Sequence, residues 1–424
     1  MTTFLITAIF IVGYICIAFE HPLKINKAAS ALITGVLCWT IYILHADSAD
    51  TVTVELLHHL GDTASILFFL LGAMTIVELI DSHNGFDIIT QKISTKSKSK
   101  LLLLIALITF FLSALLDNLT TAIVMTSLCA KILADKEDKL WFAGMIVIAA
   151  NAGGAWSPLG DVTTTMLWIG GQISALNIIK QLILPSIAVC IFPALIVARR
   201  FKNSKIAGIP PSICTAKEKK DGKTILYFGI GFLVFVPVFK TLTHLPPFMG
   251  MLLALGLMWI LTTIIHKTTE PELAERYTVS KALQKVDTPS ILFFLGILLA
   301  VAALQSFGLL KELSGFLTAT LKNDYLIGTA LGLLSALVDN VPLVAASQGM
   351  YDLGTYPTDH PFWEFLALTT GTGGSAIIIG SAAGVAVMGI EQIDFMWYLK
   401  KISWLAILGF TAGIAVFLLQ HFIL

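Results

Sequence analysis

Charged residues are scarce in this sequence. Asp, Glu, Lys and Arg make up 13% of its 424 residues, and the formal net charge is zero. This balance gives no electrostatic basis for binding nucleic acid. Hydrophobic residues reach 56%, which is more than soluble globular domains contain. The composition therefore predicts a polytopic membrane protein whose surroundings are the lipid bilayer.

Cysteine is also sparse. The five cysteines are scattered and show no CxxC spacing, so the sequence predicts neither a disulfide framework nor a zinc site. The glycine-rich segments lack the strand-turn-helix context that nucleotide binding needs. The first apolar run has no basic region before it and no cleavage site, so residues 1–19 are expected to stay as a span. We expect no cofactor and no enzymatic activity.

The sequence does contain an internal repeat. Three motifs recur in the same order, each about 220 residues later: SALLDN and SALVDN, DTASILFFL and DTPSILFFL, and GG(x5)G in both halves. A chance recurrence would not keep three motifs in register. Duplication of about half a chain is how many transporters are built.

Apolar runs predict the membrane spans. Eight runs suit spans of ~20 residues: 3–19, 28–45, 64–80, 178–198, 224–239, 247–265, 289–305 and 398–420. Two longer runs, 140–176 and 362–394, carry glycines at mid-length. Each predicts one crossing, made of two half-helices joined by unwound backbone. The acidic stretch 45–62 predicts a separate amphipathic helix outside the membrane.

The segments that hold the two Asp-Asn pairs are too long for one span and too short for two. Segment 101–130 is flanked by lysines, and basic residues favour the cytoplasmic side. We therefore expect a re-entrant hairpin with Asp117 and Asn118 at its tip. Segment 324–352 has a similar length and predicts a second hairpin around Asp339 and Asn340.

These assignments give about ten spans and two hairpins, and they orient the chain. Five spans per half invert the second copy relative to the first, so we expect an all-α membrane protein of two inverted-topology repeats, 1–205 and 224–424, with a cytoplasmic linker at 206–223. On this topology the basic residues fall on one face, which predicts that this face is cytoplasmic and that both termini lie outside. The exceptions among the 27 Lys and Arg are Lys180, Lys240, Lys311 and Lys322.

Polar residues at membrane depth form the candidate site. A carboxylate there costs about 3 kcal/mol by insertion scales, so Asp117 and Asp339 are expected to bind an ion. Helix capping is the simpler alternative for both residues. Asp161 begins a half-helix, and its counterpart in the second copy is Ser381. The candidate cation or proton ligands are Asp117, Asn118, Asp339, Asn340, Asp161, Thr120, Thr164 and Ser381, with backbone carbonyls at Asn151, Gly153, Gly154, Gly373 and Gly374.

Some of these residues have simpler roles open to them. Asn118 and Asn340 suit helix capping as well as ion binding. Thr120 suits a hydrogen bond to the backbone. Glu78 lies near the cytoplasmic end of its expected span, where it is either a proton relay or an interfacial residue.

At these residues the sequence resembles the NhaD-type sodium/proton antiporters, whose superfamily also includes arsenite, citrate and dicarboxylate carriers. The resemblance covers nearly the whole chain and rests on SALLDNLTTAIVM, NAGGAWSPLGDVTTTMLW, SALVDNVPLVAA and GTGGSAIIIGSAAGVAVMG. It implies a homodimer in a bacterial inner membrane, in which each protomer has a scaffold and a moving part. It also implies exchange of cytoplasmic Na⁺ or Li⁺ for external H⁺, with Na⁺ held at Asp117 and Asp339.

Two other functions were weighed against this one. Carboxylate carriers of the superfamily have hairpin tips of the Ser-Asn-Thr type, which suit an anion, whereas Asp117 and Asp339 replace the serine here. An anion carrier would also need arginine at depth, and none is placed there. An intramembrane aspartyl protease would need a GxGD motif, which the sequence PLGD, starting at Pro158, matches only in part.

Overall fold

The computed structural model describes residues 2–86, 95–202, 204–206, 216–267, 277–337 and 339–423. The regular secondary structure of these residues is helical, apart from one isolated bridge between Ser97 and Lys205. Eight of the described helices are long and apolar enough to cross a membrane, so the prediction of a polytopic membrane protein is confirmed.

The helices of the first half end at the long linker. They are α1 (Thr2–Ala18), α2 (Glu20–Leu23), α3 (Lys27–Leu44), α4 (Ala49–Ser82), α5 (Lys98–Leu116), α6 (Asn118–Ile132), α7 (Lys136–Ala155), α8 (Val162–Ile169) and α9 (Ala175–Arg200). Most of the linker expected at 206–223 lies outside the described residues.

The helices of the second half include more short ones than those of the first. They are α10 (Ala216–Thr243), α11 (Pro247–Ile265), α12 (Val279–Lys285), α13 (Thr288–Ser306), α14 (Leu309–Leu321), α15 (Asp324–Leu334), α16 (Asn340–Met350), α17 (Pro361–Gly373), α18 (Ala382–Glu391), α19 (Phe395–Lys401) and α20 (Ser403–Ile423). Two 3₁₀ turns, Gly374–Ala376 and Ile378–Gly380, lie between α17 and α18.

Helix α4 corrects one expectation. The separate helix predicted at 45–62 is wrong, because one continuous helix of 34 residues runs from Ala49 to Ser82. Gly61, at the expected boundary, costs about 1 kcal/mol in a helix interior and does not end the helix. At 1.5 Å per residue α4 is about 51 Å long, so it exceeds the ~30 Å of the hydrocarbon core.

Each Asp-Asn pair lies between two helices whose outer ends are held together. Helices α5 and α6 are separated only by Asp117, and Lys98 at the start of α5 bonds the carboxylate of Asp138 at the start of α7. In the second half, the Tyr356 hydroxyl after α16 donates to Asp324 Oδ1 at the start of α15, at 2.9 Å. In each case the start of the first helix is linked to the chain that follows the end of the second.

The two broken helices, α7 with α8 and α17 with α18, lie side by side. Trp141 near the start of α7 packs edge to face on Trp397, which follows α18, with ring centroids 5.7 Å apart. At the other end, the Ser174 N–H that follows α8 donates to Asp359 Oδ1, just before α17, at 2.6 Å. Each broken helix therefore begins beside the end of the other.

The long helices pack in two groups. Helices α1, α3, α4, α10, α11 and α13 pack mainly on one another, and we call them the scaffold group. The hairpin limbs α5, α6 and α15 pack with α7, α9, α17, α18 and α20, and we call these the broken-helix group. Helix α16 lies between the groups, because it packs on α13 as well as on α8 and α17.

Candidate functional site

The aspartates at the two hairpin tips cap the helices that follow them. Asp117 Oδ1 accepts from the Thr120 N–H at 2.9 Å, and its Oδ2 accepts from the Thr120 hydroxyl at 2.7 Å. Asp339 Oδ1 accepts from the Val341 N–H at 3.3 Å. Each cap satisfies a backbone donor at the start of α6 or α16. The capping role that the sequence allows is therefore present at both tips. The Thr120 hydroxyl bonds the Asp117 carboxylate and not the backbone, which the simpler alternative predicted.

The backbone is strained at the first tip. Asp117 has φ +78° and ψ 157°, a conformation that side-chain-bearing residues seldom adopt, whereas Asp339 has φ −46°. Strain of this kind costs about 1–3 kcal/mol and is concentrated at functional sites. The turn between α5 and α6 is thus held by its surroundings and not by its own preference.

Asp161 and Ser381 occupy matching positions in the two broken helices. Asp161 Oδ1 accepts from the Thr163 N–H at 3.3 Å at the start of α8. Ser381 Oγ accepts from the Gly384 N–H at 3.2 Å at the start of α18. Both residues are buried: Asp161 is 2% exposed and Ser381 is 1% exposed. The two halves share this cap geometry, but only the first half places a carboxylate in it.

Glycines bring each broken helix against its hairpin. A Cβ on Gly153 would lie 2.1 Å from the Phe110 carbonyl oxygen, and one on Gly373 would lie 1.9 Å from that of Gly332. No side chain fits at either position. The same approach is fastened by equivalent hydrogen bonds, from Ser113 Oγ to Ala150 O at 2.6 Å and from Ser335 Oγ to Thr370 O at 3.2 Å.

The helix breaks directly follow the paired glycines. Gly153 and Gly154 belong to the last turn of α7, which ends at Ala155, and the non-helical segment runs over 156–161. In the second copy Gly373 is the last residue of α17, and Gly374 begins a 3₁₀ turn. These glycines therefore serve the close contact between helices, and the helical backbone changes course after them.

An asparagine network joins the first hairpin to both broken helices. Asn118 Nδ2 donates to Asn151 Oδ1 at 3.1 Å. Asn151 Nδ2 in turn donates to Ser375 Oγ and Ser381 Oγ, both at 2.9 Å. Asn151 is fully buried, and it acts here through its side chain and not only through the backbone carbonyl that the sequence suggested.

A second link joins the other hairpin to the first broken helix. Asn340 Nδ2 donates to Asp161 Oδ2 at 3.3 Å. The carboxylates of Asp117 and Asp339 both act electrostatically on Asp161. A Cβ on Gly371 of α17 would lie 3.4 Å from Asp161 Oδ2, so this carboxylate faces the second broken helix. The two hairpin tips and both broken helices therefore meet around Asp161.

The arrangement presents oxygen atoms to a hard cation. Asn118 and Asn340 each donate through the amide nitrogen, which leaves the amide oxygen available as a ligand. Thr121 Oγ1 is buried and has no hydrogen-bond partner within the described part of the chain. Carboxylate, amide and hydroxyl oxygens are the ligands of hard metal ions.

Two predicted residues lie apart from this cluster or are otherwise engaged. Thr164 Oγ1 donates to Ala155 O at 3.5 Å, across the break between α7 and α8. Glu78 Oε1 accepts from Lys285 Nζ at 2.7 Å and from Ser82 Oγ at 3.0 Å, at the end of α4. This ion pair suits an interfacial residue, which is the simpler of the two roles weighed from the sequence.

Three polar residues near the site or in the broken helices were not singled out from the sequence. Ser375 is a partner of Asn151. Glu364 is buried in α17, and it accepts a hydrogen bond from Asn177. Lys27 Nζ lies 3.6 Å from Asp339 Oδ2. A lone carboxylate in an apolar run is the signal that would have found Glu364; Lys27 gives only the signal of a basic residue beside a span.

The chain is similar to known transport proteins. The family model described as "Citrate transporter" matches residues 14–371. Sodium/proton antiporter 1 of Arabidopsis thaliana is 47% identical over 414 residues, which cover 97% of this chain and 72% of that protein. Sodium/proton antiporter 2 of the same plant is 45% identical over 97% of this chain and 98% of its own. The Na(+)/H(+) antiporter NhaD of Vibrio cholerae is 30% identical over 97% of this chain and 91% of its own.

Proposed function

Because the chain belongs to the citrate-transporter family, and within it to the NhaD-type sodium/proton antiporters, we propose that it exchanges Na⁺ or Li⁺ for H⁺ by alternating access. The observation that carries the proposal is the buried carboxylate of Asp161. Its described hydrogen bonds come from neutral N–H groups of Thr163 and Asn340, so its negative charge is free to take up a sodium ion or a proton. The protein is then a carrier and not an enzyme.

The ion would be held where the two hairpins meet the first broken helix. Asp117, Asp161 and Asp339 supply carboxylate oxygens, and Asn118 and Asn340 supply amide oxygens. Thr120, Thr164 and Ser381 hydrogen-bond within or beside this cluster and complete its polar lining. No bound cofactor is needed, because the transported ions bind to side chains alone.

Competition links the two ions. A carboxylate oxygen that holds a proton cannot also coordinate a metal ion, so loading with sodium expels protons from the site. At low external sodium the protons return and displace the metal ion. Each transport cycle then moves sodium one way and protons the other, and it needs only that the site face the two sides in turn.

We further propose that the two halves are inverted repeats, 1–205 and 224–424, and that each has a re-entrant hairpin. The side-by-side broken helices support the inversion, since each begins beside the end of the other. The hydrogen bonds that join the outer ends of each hairpin support a chain that leaves the membrane on the side where it entered. Repeats of opposite orientation that meet at the bilayer midplane give a site reachable from either side.

The orientation follows from the charge distribution. The lysine-rich face would be cytoplasmic and both termini outside, so Na⁺ would leave the cytoplasm as H⁺ enters. A homodimer would let the scaffold group of each protomer stay fixed while the broken-helix group moves. The relatives come from a plant as well as from Vibrio cholerae, so they support a multi-pass membrane protein and do not single out the bacterial inner membrane expected from the sequence.

The alternative, an anion carrier, is not favoured. Although the matching family model bears the description of a citrate transporter, three carboxylates at the site would repel a citrate anion. Of the arginines in the sequence, Arg199 and Arg200 lie at the end of α9, and Arg276 lies outside the described residues.

Asp117→Asn and Asp339→Asn test the proposal in everted vesicles or proteoliposomes that contain a fluorescent pH indicator. Asparagine is as good a helix cap as aspartate, so both variants should fold and reach the membrane. We expect each to lose Na⁺- and Li⁺-dependent proton movement, whereas the unaltered protein shows it and does not respond to citrate. Full activity in either variant would falsify the role given to that residue.

A further inference from the structure

One cation of the protein already lies at the site. Lys27 Nζ is 3.6 Å from Asp339 Oδ2, and the side chains expose 22% and 15% of their surface. Lys27 is the first residue of α3 in the scaffold group, whereas Asp339 caps α16 at the tip of the second hairpin. The pair therefore crosses the boundary on which α16 lies.

Neighbouring side chains of the scaffold group hold Lys27 close to Asp339. Its ammonium lies over the Phe293 ring of α13, 4.5 Å from the centroid, a favourable site for a cation. The hydroxyl oxygen of Tyr14, on α1, is buried close enough to Asp339 to be affected by its charge. Three scaffold helices thus converge on the tip of the second hairpin.

The contact with Asp339 is loose. At 3.6 Å the ammonium and the carboxylate attract each other but form no hydrogen bond by ordinary distance criteria. Capping engages Oδ1, so the oxygen that faces Lys27 is the one not used by the backbone. An ion pair of this kind neutralises the carboxylate and can still be replaced by another cation.

The first hairpin has no such partner. None of the ion pairs among the described residues includes Asp117. The helix that corresponds to α3 in the second half, α11, begins Pro-Phe-Met at Pro247 and offers no lysine there. The lysine is thus a feature of one half, like the carboxylate of Asp161.

We propose that Lys27 is a built-in competitor for the transported cation: it holds Asp339 until Na⁺ or Li⁺ displaces it. This inference rests on the proposed function, and it makes Lys27 a residue that sets the cation affinity of the site. Displacement frees the second hairpin from the scaffold group, so that binding of the ion and release of the hairpin are one event.

Apparent KM values for Na⁺, measured in proteoliposomes at one fixed pH, test this role. Lys27→Gln removes the competing charge and should lower the apparent KM about three- to tenfold, the order expected for one partly solvated charge pair. Lys27→Arg keeps the charge and should stay nearer the unaltered protein. Lys24→Gln, which removes an exposed lysine three residues earlier, is the matched control and should leave the KM unchanged.

The results for the Lys27 and Lys24 variants either support or overturn the inference. If Lys27→Gln leaves the KM unchanged or raises it, or if Lys24→Gln lowers it equally, the inference is overturned. If Lys27→Gln no longer transports, the sodium dependence of its melting temperature in detergent gives an apparent Kd; tighter binding supports the inference and unchanged or weaker binding overturns it. If the unaltered protein itself moves no protons in response to sodium, the proposed function fails instead.

Discussion

Asn151 uses both amide hydrogens and its amide oxygen within the site. It receives a hydrogen bond from Asn118 and gives one each to Ser375 and Ser381. These three hydrogen bonds tie the two broken helices to each other and to the first hairpin. Its role follows from contacts across more than 200 positions of sequence, and no local pattern predicts such contacts.

Asn151→Ala should destabilise the protein. The change leaves several buried polar groups without partners, and each such group costs about 1–3 kcal/mol. We expect a lower melting temperature in detergent and slower exchange. Thr40→Ala is a suitable control, since the Thr40 hydroxyl is exposed and bonds only to the carbonyl of Val36 in its own helix. Equal melting temperatures for Asn151→Ala and the unaltered protein would contradict the linking role.

Asp161→Ser removes the negative charge of Asp161 and keeps a side chain that can cap α8. Serine occupies the matching position 381 and caps α18 there, so Asp161→Ser should keep α8 intact and the protein folded. Sodium-dependent proton movement in proteoliposomes should be lost. Retention of normal exchange, with a normal apparent KM for Na⁺, would show that the ion does not need this carboxylate.

At the scale of helices, the apolar runs were the most informative part of the sequence. The expected spans 28–45, 247–265 and 289–305 agree within one residue at each end with α3, α11 and α13. The breaks were expected at the glycines, because glycine is a weak helix former. The breaks do directly follow the paired glycines, and the structure adds a second reason for Gly153 and Gly373: a carbonyl of the neighbouring hairpin occupies the space that a side chain would fill. Packing against a distant segment is not visible in local sequence.

Gly153→Ala and Gly373→Ala should therefore be severely destabilising. The added methyl group would lie within 2.1 Å and 1.9 Å of a backbone oxygen, and a backbone cannot give way as a flexible side chain can. Yield of folded protein and melting temperature, measured after extraction from the membrane, check the expectation. Gly256→Ala in α11 is the control, because a Cβ there meets no atom within 4 Å, and it should be neutral or stabilising by up to about 1 kcal/mol.

At the scale of the whole molecule, the sequence predicted a polytopic helical membrane protein correctly. The predicted hairpins remain an interpretation of chain length and charge, which the pinned ends of both now support. Charge counting could not have predicted the partner of Lys27, which is 312 positions away in the sequence, because the pair depends on how the two groups of helices meet.

Accessibility of single cysteines to a membrane-impermeant maleimide tests the topology. In a variant without the native cysteines, Lys96→Cys and Lys136→Cys flank the first hairpin, and Lys311→Cys and Leu353→Cys flank the second; these side chains are exposed. We expect the first two to react from one side of the membrane and the last two from the other. Reaction of Lys96→Cys and Lys136→Cys from opposite sides would mean that the first pair of helices does not re-enter.

The carboxylate of Asp161 has a serine as its counterpart, and this difference has a kinetic consequence. Two identical halves would offer an arriving ion the same ligands from either compartment. Here an ion that approaches through one half meets an acid that the other half lacks. Half-saturating sodium concentrations measured from the two compartments should therefore differ, even when the imposed gradients are equal and opposite. The protein is then functionally asymmetric across the membrane despite its duplicated sequence.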